Sequence, residues 1–457
     1  MINLKSEKRI DSSQLARERI MGGRYNSCFD HWIAQLLFII IICSVPFFKW
    51  RDLPGPSFMR VDWLAMGGLL LVIGPCLVLN KRSIYRLGSS IWPAYLMFLL
   101  VNLISALISP FPGPSVSGMM MLVQGFVLVT MTVLVVNPVS LQGSLYWSIA
   151  WSTGIGALLA CFGYFGGMEQ FQQEDSNRGV GATLSSNNMA IMCIFAYPLV
   201  VYGAIYAKSN LGKIVGWIFT LFVVGGIVST LSRAGFLVMM LTSVVLLNQY
   251  KNKFQVRYFG LVIAGVSVFS VAVVLFIPED FVERQMSLVS DEPAQDRSLD
   301  RRSSYVTVAV RAFEEHPVIG TGPDTFKENW IRSVETRFFD MDRRPAHNTY
   351  LEVAVGTGTL GLFAFFYLLW RMYSNFASAE KNLREHGLEA ESQLAAALKM
   401  SLVGVCLYFF FKSGLEHKYF LLLIGLAGTI KYYEEFKLEE HRMKLAGELP
   451  DDRKEGA

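Results

Sequence analysis

The chain has 457 residues, of which 53% are hydrophobic types and 17% charged, and its mean hydropathy is +0.38. Two or three soluble domains would suit that length, but soluble domains carry about 25% charged residues, and 33 Phe, 18 Tyr and 9 Trp are too much apolar bulk for one water-facing surface to hide. Forty-one Lys and Arg against 37 Asp and Glu leave +4, no argument for nucleic acid, and with disordered and disulfide-rich classes excluded as well a polytopic membrane protein remains.

Residues 1–31 are polar and mixed in charge, too long and too acidic for the leading part of a signal peptide, and read as a cytoplasmic tail. Apolar stretches follow at about 32–48, 62–79, 90–108, 117–137, 145–165, 187–206, 213–231, 233–249 and 257–277, with three more at 348–370, 398–416 and 418–432. A helix needs about 20 residues to cross roughly 30 Å of hydrocarbon. The pattern therefore predicts an all-α polytopic transmembrane helical bundle of about twelve helices, nine within 32–277 and three within 347–432.

Between those blocks, residues 278–346 form the single large extramembrane segment; 14 acidic and 10 basic residues in 279–346 make it a soluble, slightly acidic cap. Inside it, SYVTVAVRAFEEHPVIG predicts an amphipathic helix ending at His316-Pro317, followed by a turn at Gly320-Thr321-Gly322-Pro323 whose amides can meet an anion. Residues 372–397 read as a charged helical stretch and 433–457 as a charged tail.

Threading twelve helices alternately places most basic loops on one side. Lys81, Arg82 and Arg86 follow the second span, Lys251, Lys253 and Arg257 the eighth, and Arg371, Lys381 and Arg384 the tenth. The positive-inside rule makes that side cytoplasmic, with both termini inside. The short outer segment KWRDLPGPSFMR breaks the pattern. The outer face then receives the segment around Arg178, the corner STLSR and the cap.

Cys28, Cys43, Cys76, Cys161, Cys193 and Cys406 are far apart, with no CxxC or Cys/His cluster, so no metal site or cofactor is expected and the thiols read as buried hydrophobes. Chemistry is sought instead among the few polar groups at the outer boundary. Arg233 joins two apolar runs in IVSTLSRAGFL, beside Ser229, Thr230 and Ser232. A guanidinium there suits a diphosphate, to which it presents a planar fork of donors, or is an interfacial arginine that snorkels to water. Arg178 with Asn187-Asn188 is a second candidate, although Ser185 or Ser186 beside it reads equally as a helix cap. The sharpest is RRPAHNTYLEVAVGTGTLGLF, which places Arg344, His347, Asn348, Tyr350 and Glu352 at the outer start of the tenth span. A neutral imidazole there can accept a proton near pH 7, with Glu352 to fix its tautomer, and Gly356, Gly358 and Gly361 allow close approach to the backbone. In the cap, Arg301, Arg302 and Arg311 are candidates against a plain solvated face.

These residues carry a family likeness. The chain resembles the O-antigen ligase and O-antigen polymerase superfamily, bacterial membrane glycosyltransferases that act on lipid-linked saccharides. The ligase pattern of His, a small amide or hydroxyl residue, nine residues, Gly, two residues and Gly is met in full by His347, Asn348, Gly358 and Gly361. Ser232-Arg233, Arg302 with the later Pro317-x-x-Gly320-x-Gly322, and Arg178 with Asn187-Asn188 resemble the other marks, so that 178–365 carries the likeness.

The resemblance implies a GT-C-like fold and a metal-independent, inverting transfer at the periplasmic face of the bacterial inner membrane. The glycan would move from undecaprenyl diphosphate to a hydroxyl of lipid A–core oligosaccharide. A repeat-unit polymerase using the same donor and a non-catalytic protein that binds or moves the lipid-linked glycan are the alternatives. On this reading His347, Arg233 and Arg302 are catalytic. Arg178, Asn188, Asn348, Arg301, Arg311, Tyr350, Glu352 and Arg344 contact substrate.

Overall fold

A computed structural model describes residues 32–50, 61–79, 89–174, 176–251, 297–338 and 343–447. The N-terminal tail, residues 448–457 and the ninth expected span, 257–277, lie outside these residues, whereas 433–445, expected as the start of a charged tail, continues the last helix. The described part is helical apart from a two-stranded antiparallel ribbon, β1 (Gln172–Gln173) and β2 (Ser176–Gly179). Ahead of the ribbon run α1 (Trp32–Cys43), α2 (Val61–Leu79), α3 (Trp92–Leu107), α4 (Pro112–Val135) and α5 (Tyr146–Gly166). After it come α6 (Ser186–Tyr206), α7 (Asn210–Ser229) and α8 (Arg233–Tyr250), then α9 (Arg297–Glu315) and α10 (Phe326–Arg332) of the cap. The chain closes with α11 (Thr349–Glu385), α12 (Glu389–Tyr408) and α13 (Lys418–Leu445).

Eleven of the twelve expected spans coincide with described helices, and six helices among the described residues are long and apolar enough to cross a membrane. Three of the rest fall short for visible reasons. α1 and α3 have only 12 and 16 residues, and α13 turns charged in its second half, from Glu434 to Lys444. The chain is an all-α polytopic membrane protein. Large apolar side chains such as Leu71, Leu221, Val244 and Phe363 stand 65–78% exposed on the bundle's flanks, as lipid-facing residues must. The charged stretch 372–397 divides between two helices, with α11 running on to Glu385 and α12 starting at Glu389.

Local chemistry sets the helix ends. Ser185, Ser209 and Ser232 cap α6, α7 and α8, each side chain accepting an amide hydrogen bond from the first turn. The central helix is α6: 83% of its apolar window is buried, against 39% for α7 on the periphery. It packs on α5, α7 and α12, while α11 packs on α3, α12 and α13.

The cap has its own small core of Tyr305, Val308, Phe326 and Trp330, continuous with Ala346 and Val355 at the head of α11. It is also joined to α11 through the backbone. At Gly358 the helix breaks, with φ 62° and ψ −158°. The amides of Thr359 and Leu360 therefore turn to the carbonyls of Pro317 and Val318, at 2.8 and 3.2 Å. In return the amides of Thr321 and Gly322 donate to the carbonyls of Val355 and Gly356, both at 2.8 Å. A Cβ on Gly358 would lie 2.4 Å from the Val318 carbonyl carbon, and one on Gly320 2.4 Å from the backbone of Gly356. The turn at 320–323 was expected to offer amides to an anion; those of Thr321 and Gly322 are spent on α11 instead. The glycines of α11 do admit a close neighbour, this turn at Gly356 and the Val318–Ile319 backbone just before it at Gly358.

Candidate active site

Five arginines meet in a cavity of about 140 Å³: Arg178, Arg233, Arg301, Arg302 and Arg344, with His347 and Tyr408 in the same wall. Among the described residues, no carboxylate lines it. Like charges so close to one another repel, and the cavity's field focuses on an anion. The side chains arrive from five places in the chain: β2, the α7–α8 corner, the first half of α9, the approach to α11 and the end of α12.

Each is held locally. Arg178 donates from Nε to the carbonyl of Thr230 at 2.8 Å, at the C-terminus of α7, where the helix dipole favours a cation. Its Nη2 reaches Asn187 Oδ1 at 3.4 Å. Arg233 opens α8 directly after Leu231, whose φ of +49° is unusual for a branched residue. Ser232 between them accepts from the Gly235 amide and lies 3.2 Å from the Tyr408 hydroxyl, which in turn donates to Asn187 Oδ1. A polar chain thus ties the α7–α8 corner to α6 and α12.

His347 also has a left-handed backbone, φ +52°. A non-glycine residue there costs about 1–3 kcal/mol and persists only where its surroundings enforce it. Here the Ala346 amide donates to Glu352 Oε1 at 3.1 Å, Asn348 caps α11 by accepting from the Tyr350 and Leu351 amides, and the Thr349 amide donates to the Phe409 carbonyl at 2.9 Å. Burial lowers the His347 pKa to about 4, and the positive charges of Arg302, Lys412, Arg301 and Arg344 push the same way. The imidazole is therefore neutral at pH 7.

His347 faces a second cavity too, of about 310 Å³, whose wall includes Asn188, Asp324, Lys327, Glu352, Lys412 and Glu416. It is the one residue common to both linings. The two cavities differ in character: among the described residues the charged groups of the first are all basic, while the second carries three acidic side chains against two lysines.

Of the residues singled out in the sequence, Arg178, Arg233, Arg301, Arg302, Arg344 and His347 come together in the arginine cavity. Asn188 and Glu352 line the second cavity, and it is Asn187 that reaches the arginines. Asn348 is occupied as a helix cap. Tyr350 points away, its hydroxyl donating to the Cys406 carbonyl at 2.8 Å and its ring stacked on Phe366 at 5.7 Å. Arg311 pairs with Glu335 at 3.0 Å and is half exposed, outside both cavities. Tyr408 and Lys412 are added by the structure. They stand in YFFFK at the end of an apolar run, where an aromatic reads as core and a lysine as a boundary marker. Among the described residues, no cluster of three or more His, Cys, Asp or Glu is placed to hold a metal.

Residues 218–366 match the family model described as O-antigen ligase. The matched stretch contains Arg233, Arg301, Arg302, Arg344 and His347, and leaves Arg178 and Tyr408 on either side. No curated protein matches the chain.

Proposed function

We propose that this chain, a member of the O-antigen ligase family, is a metal-independent inverting glycosyltransferase. It moves a glycan from undecaprenyl diphosphate to a hydroxyl of lipid A–core oligosaccharide at the periplasmic face of the inner membrane. The observation that carries this reading is the position of His347 in the shared wall of a cationic cavity and a mixed one.

On this reading the donor diphosphate lies among Arg178, Arg233, Arg301, Arg302 and Arg344, and the acceptor sugar reaches His347 from the second cavity. The acceptor hydroxyl loses its proton to the imidazole while its oxygen attacks the anomeric carbon from the face opposite the phosphate. The C–O bond to phosphate breaks, and undecaprenyl diphosphate leaves with the electron pair. Charge developing on that oxygen is met by preorganised guanidinium groups, which need not reorganise as it forms. Asn187 and Tyr408 hold the arginine wall in place, and Asn348 sets the start of α11, on which His347 depends.

The low basicity of His347 gains a role here. Burial and the surrounding positive charge suppress protonation. A bound diphosphate neutralises that charge, raises the imidazole's basicity and makes it an effective base only when donor is present.

A polymerase would bring a second diphosphate-linked saccharide to the same histidine. The second cavity offers two lysines, one of them paired with Asp324, against five arginines in the first, so it gives a second diphosphate little cationic support, which favours a core saccharide as acceptor. Incubating the purified protein with undecaprenyl-diphosphate glycan and either core lipid or a second lipid-linked glycan tests this directly. Product on core lipid is expected. Longer polyprenyl-linked chains alone would establish the polymerase instead.

A further inference from the structure

The largest of the three cavities described, about 500 Å³, lies at the other end of the bundle. Helix α6 links the two ends, since Asn187 in its first turn lines the arginine cavity and Tyr202 and Tyr206 in its last turns line this one. The inner wall is aromatic: Tyr146 meets Tyr202 edge-on at 5.9 Å, and Tyr202 stacks on Tyr206 at 5.6 Å. The rim is charged, with Lys208, Lys437 and Lys444 against Glu391 and Glu440, one positive charge in excess. Glu440 is shared between Lys437 at 2.9 Å and Lys444 at 3.1 Å, and these side chains are only 15–22% exposed.

A further observation points to a ligand. Gln142 and Gly143, in the wall beside Tyr146, belong to a π-helical turn, Leu141–Leu145, an irregularity that concentrates at functional sites.

We propose that this cavity binds the phosphate-ester head group of a membrane phospholipid from the leaflet opposite the arginine cavity. Ammonium groups of lysine serve phosphate as point charges. The aromatic wall suits the glycerol carbons beside the polar head. Continuity with the lipid-facing surface favours a lipid over a free phosphate: just past Ser209 on the rim, α7 exposes Leu211 and Ile214 at 70% and 57%. None of these residues belongs to the proposed transfer site, so the two readings stand or fall separately.

Native mass spectrometry of the full-length protein in detergent, titrated with phosphatidylglycerol, tests the assignment. One-to-one retention is expected, weakened at least tenfold in the Lys208→Gln/Lys437→Gln pair. The same loss is expected in Gly143→Leu, where a Cβ meets nothing within 4 Å and the added side chain fills the cavity. Excess glycerol 3-phosphate should leave the lipid in place. Absence of bound lipid, or equal retention by both variants, overturns the proposal, and displacement by glycerol 3-phosphate overturns its lipid assignment. The variants alter different elements, so if one fails to fold the other still decides.

Discussion

The amide of Ala346 donates to Glu352 Oε1 at 3.1 Å, and Ser413 Oγ donates to that same oxygen. A carboxylate inside the first turns of α11 thus fixes the residue before His347 and helps hold the histidine in its left-handed backbone. This makes Glu352 a positioning residue. Gln at 352 keeps an oxygen that can accept both bonds, whereas Ala keeps none. Glu352→Gln is expected to retain kcat within about threefold. Glu352→Ala should lower kcat at least tenfold with little change in donor KM, and cost about 1–3 kcal/mol for the donors left unpaired. Loss of activity in the Gln variant would assign the carboxylate a chemical role instead.

The acid limb of the pH profile follows from His347. Its pKa of about 4 leaves it neutral, able to accept a proton, throughout the neutral range. The kcat/KM profile, which reports the free enzyme, should stay level from pH 8 to about 5.5 and fall only towards pH 4. Bound diphosphate raises the imidazole pKa, so the acid limb of kcat should lie at higher pH than that of kcat/KM. Coincident limbs at pH 6.5 in both profiles would contradict the electrostatic account.

Gly358 is expected to tolerate no side chain. Its φ of 62° penalises any L residue, and the added Cβ would lie 2.4 Å from Val318. Gly358→Ala should destabilise the protein by about 2–4 kcal/mol, measured as a fall in Tm in detergent. It should also loosen the cap, because the bonds from Thr359 to Pro317 and from Leu360 to Val318 depend on the break there.

The cap arginines should separate sharply. Arg302 lines the cationic cavity, whereas Arg311 forms a half-exposed pair with Glu335, the kind worth about 0–1 kcal/mol. Arg302→Ala should lower transfer by about 10²–10³-fold, the usual range for losing one preorganised charge-stabilising donor. Arg311→Ala should stay within twofold. Initial rates at equal protein give both values.

Helix type, and the place of eleven of the twelve expected spans, were readable because lipid imposes a simple rule: some twenty apolar residues in a row, with charges confined to the ends. The arginines and His347 stood out for the complementary reason, that ionisable groups beside apolar runs are scarce and costly. Partners across the fold were hidden. Nothing in HNTYLE says whether Tyr350 enters the cavity or packs on Phe366, because its direction is fixed by α12 packing alongside. Nothing in YFFFK distinguishes Tyr408 from a core aromatic, because its role depends on Ser232 and Asn187, 176 and 221 residues away. The turn at 320–323 misled for the same reason. Its free amides are satisfied by a helix break that only the fold reveals.

The central claim is that His347 joins donor and acceptor without holding the donor itself. Purified His347→Ala protein, given undecaprenyl-diphosphate glycan and core lipid, tests this most directly when donor binding and transfer are both measured. Donor affinity within about threefold of the parent, with transfer reduced more than a hundredfold, is the predicted result. Transfer at the parent rate would contradict it.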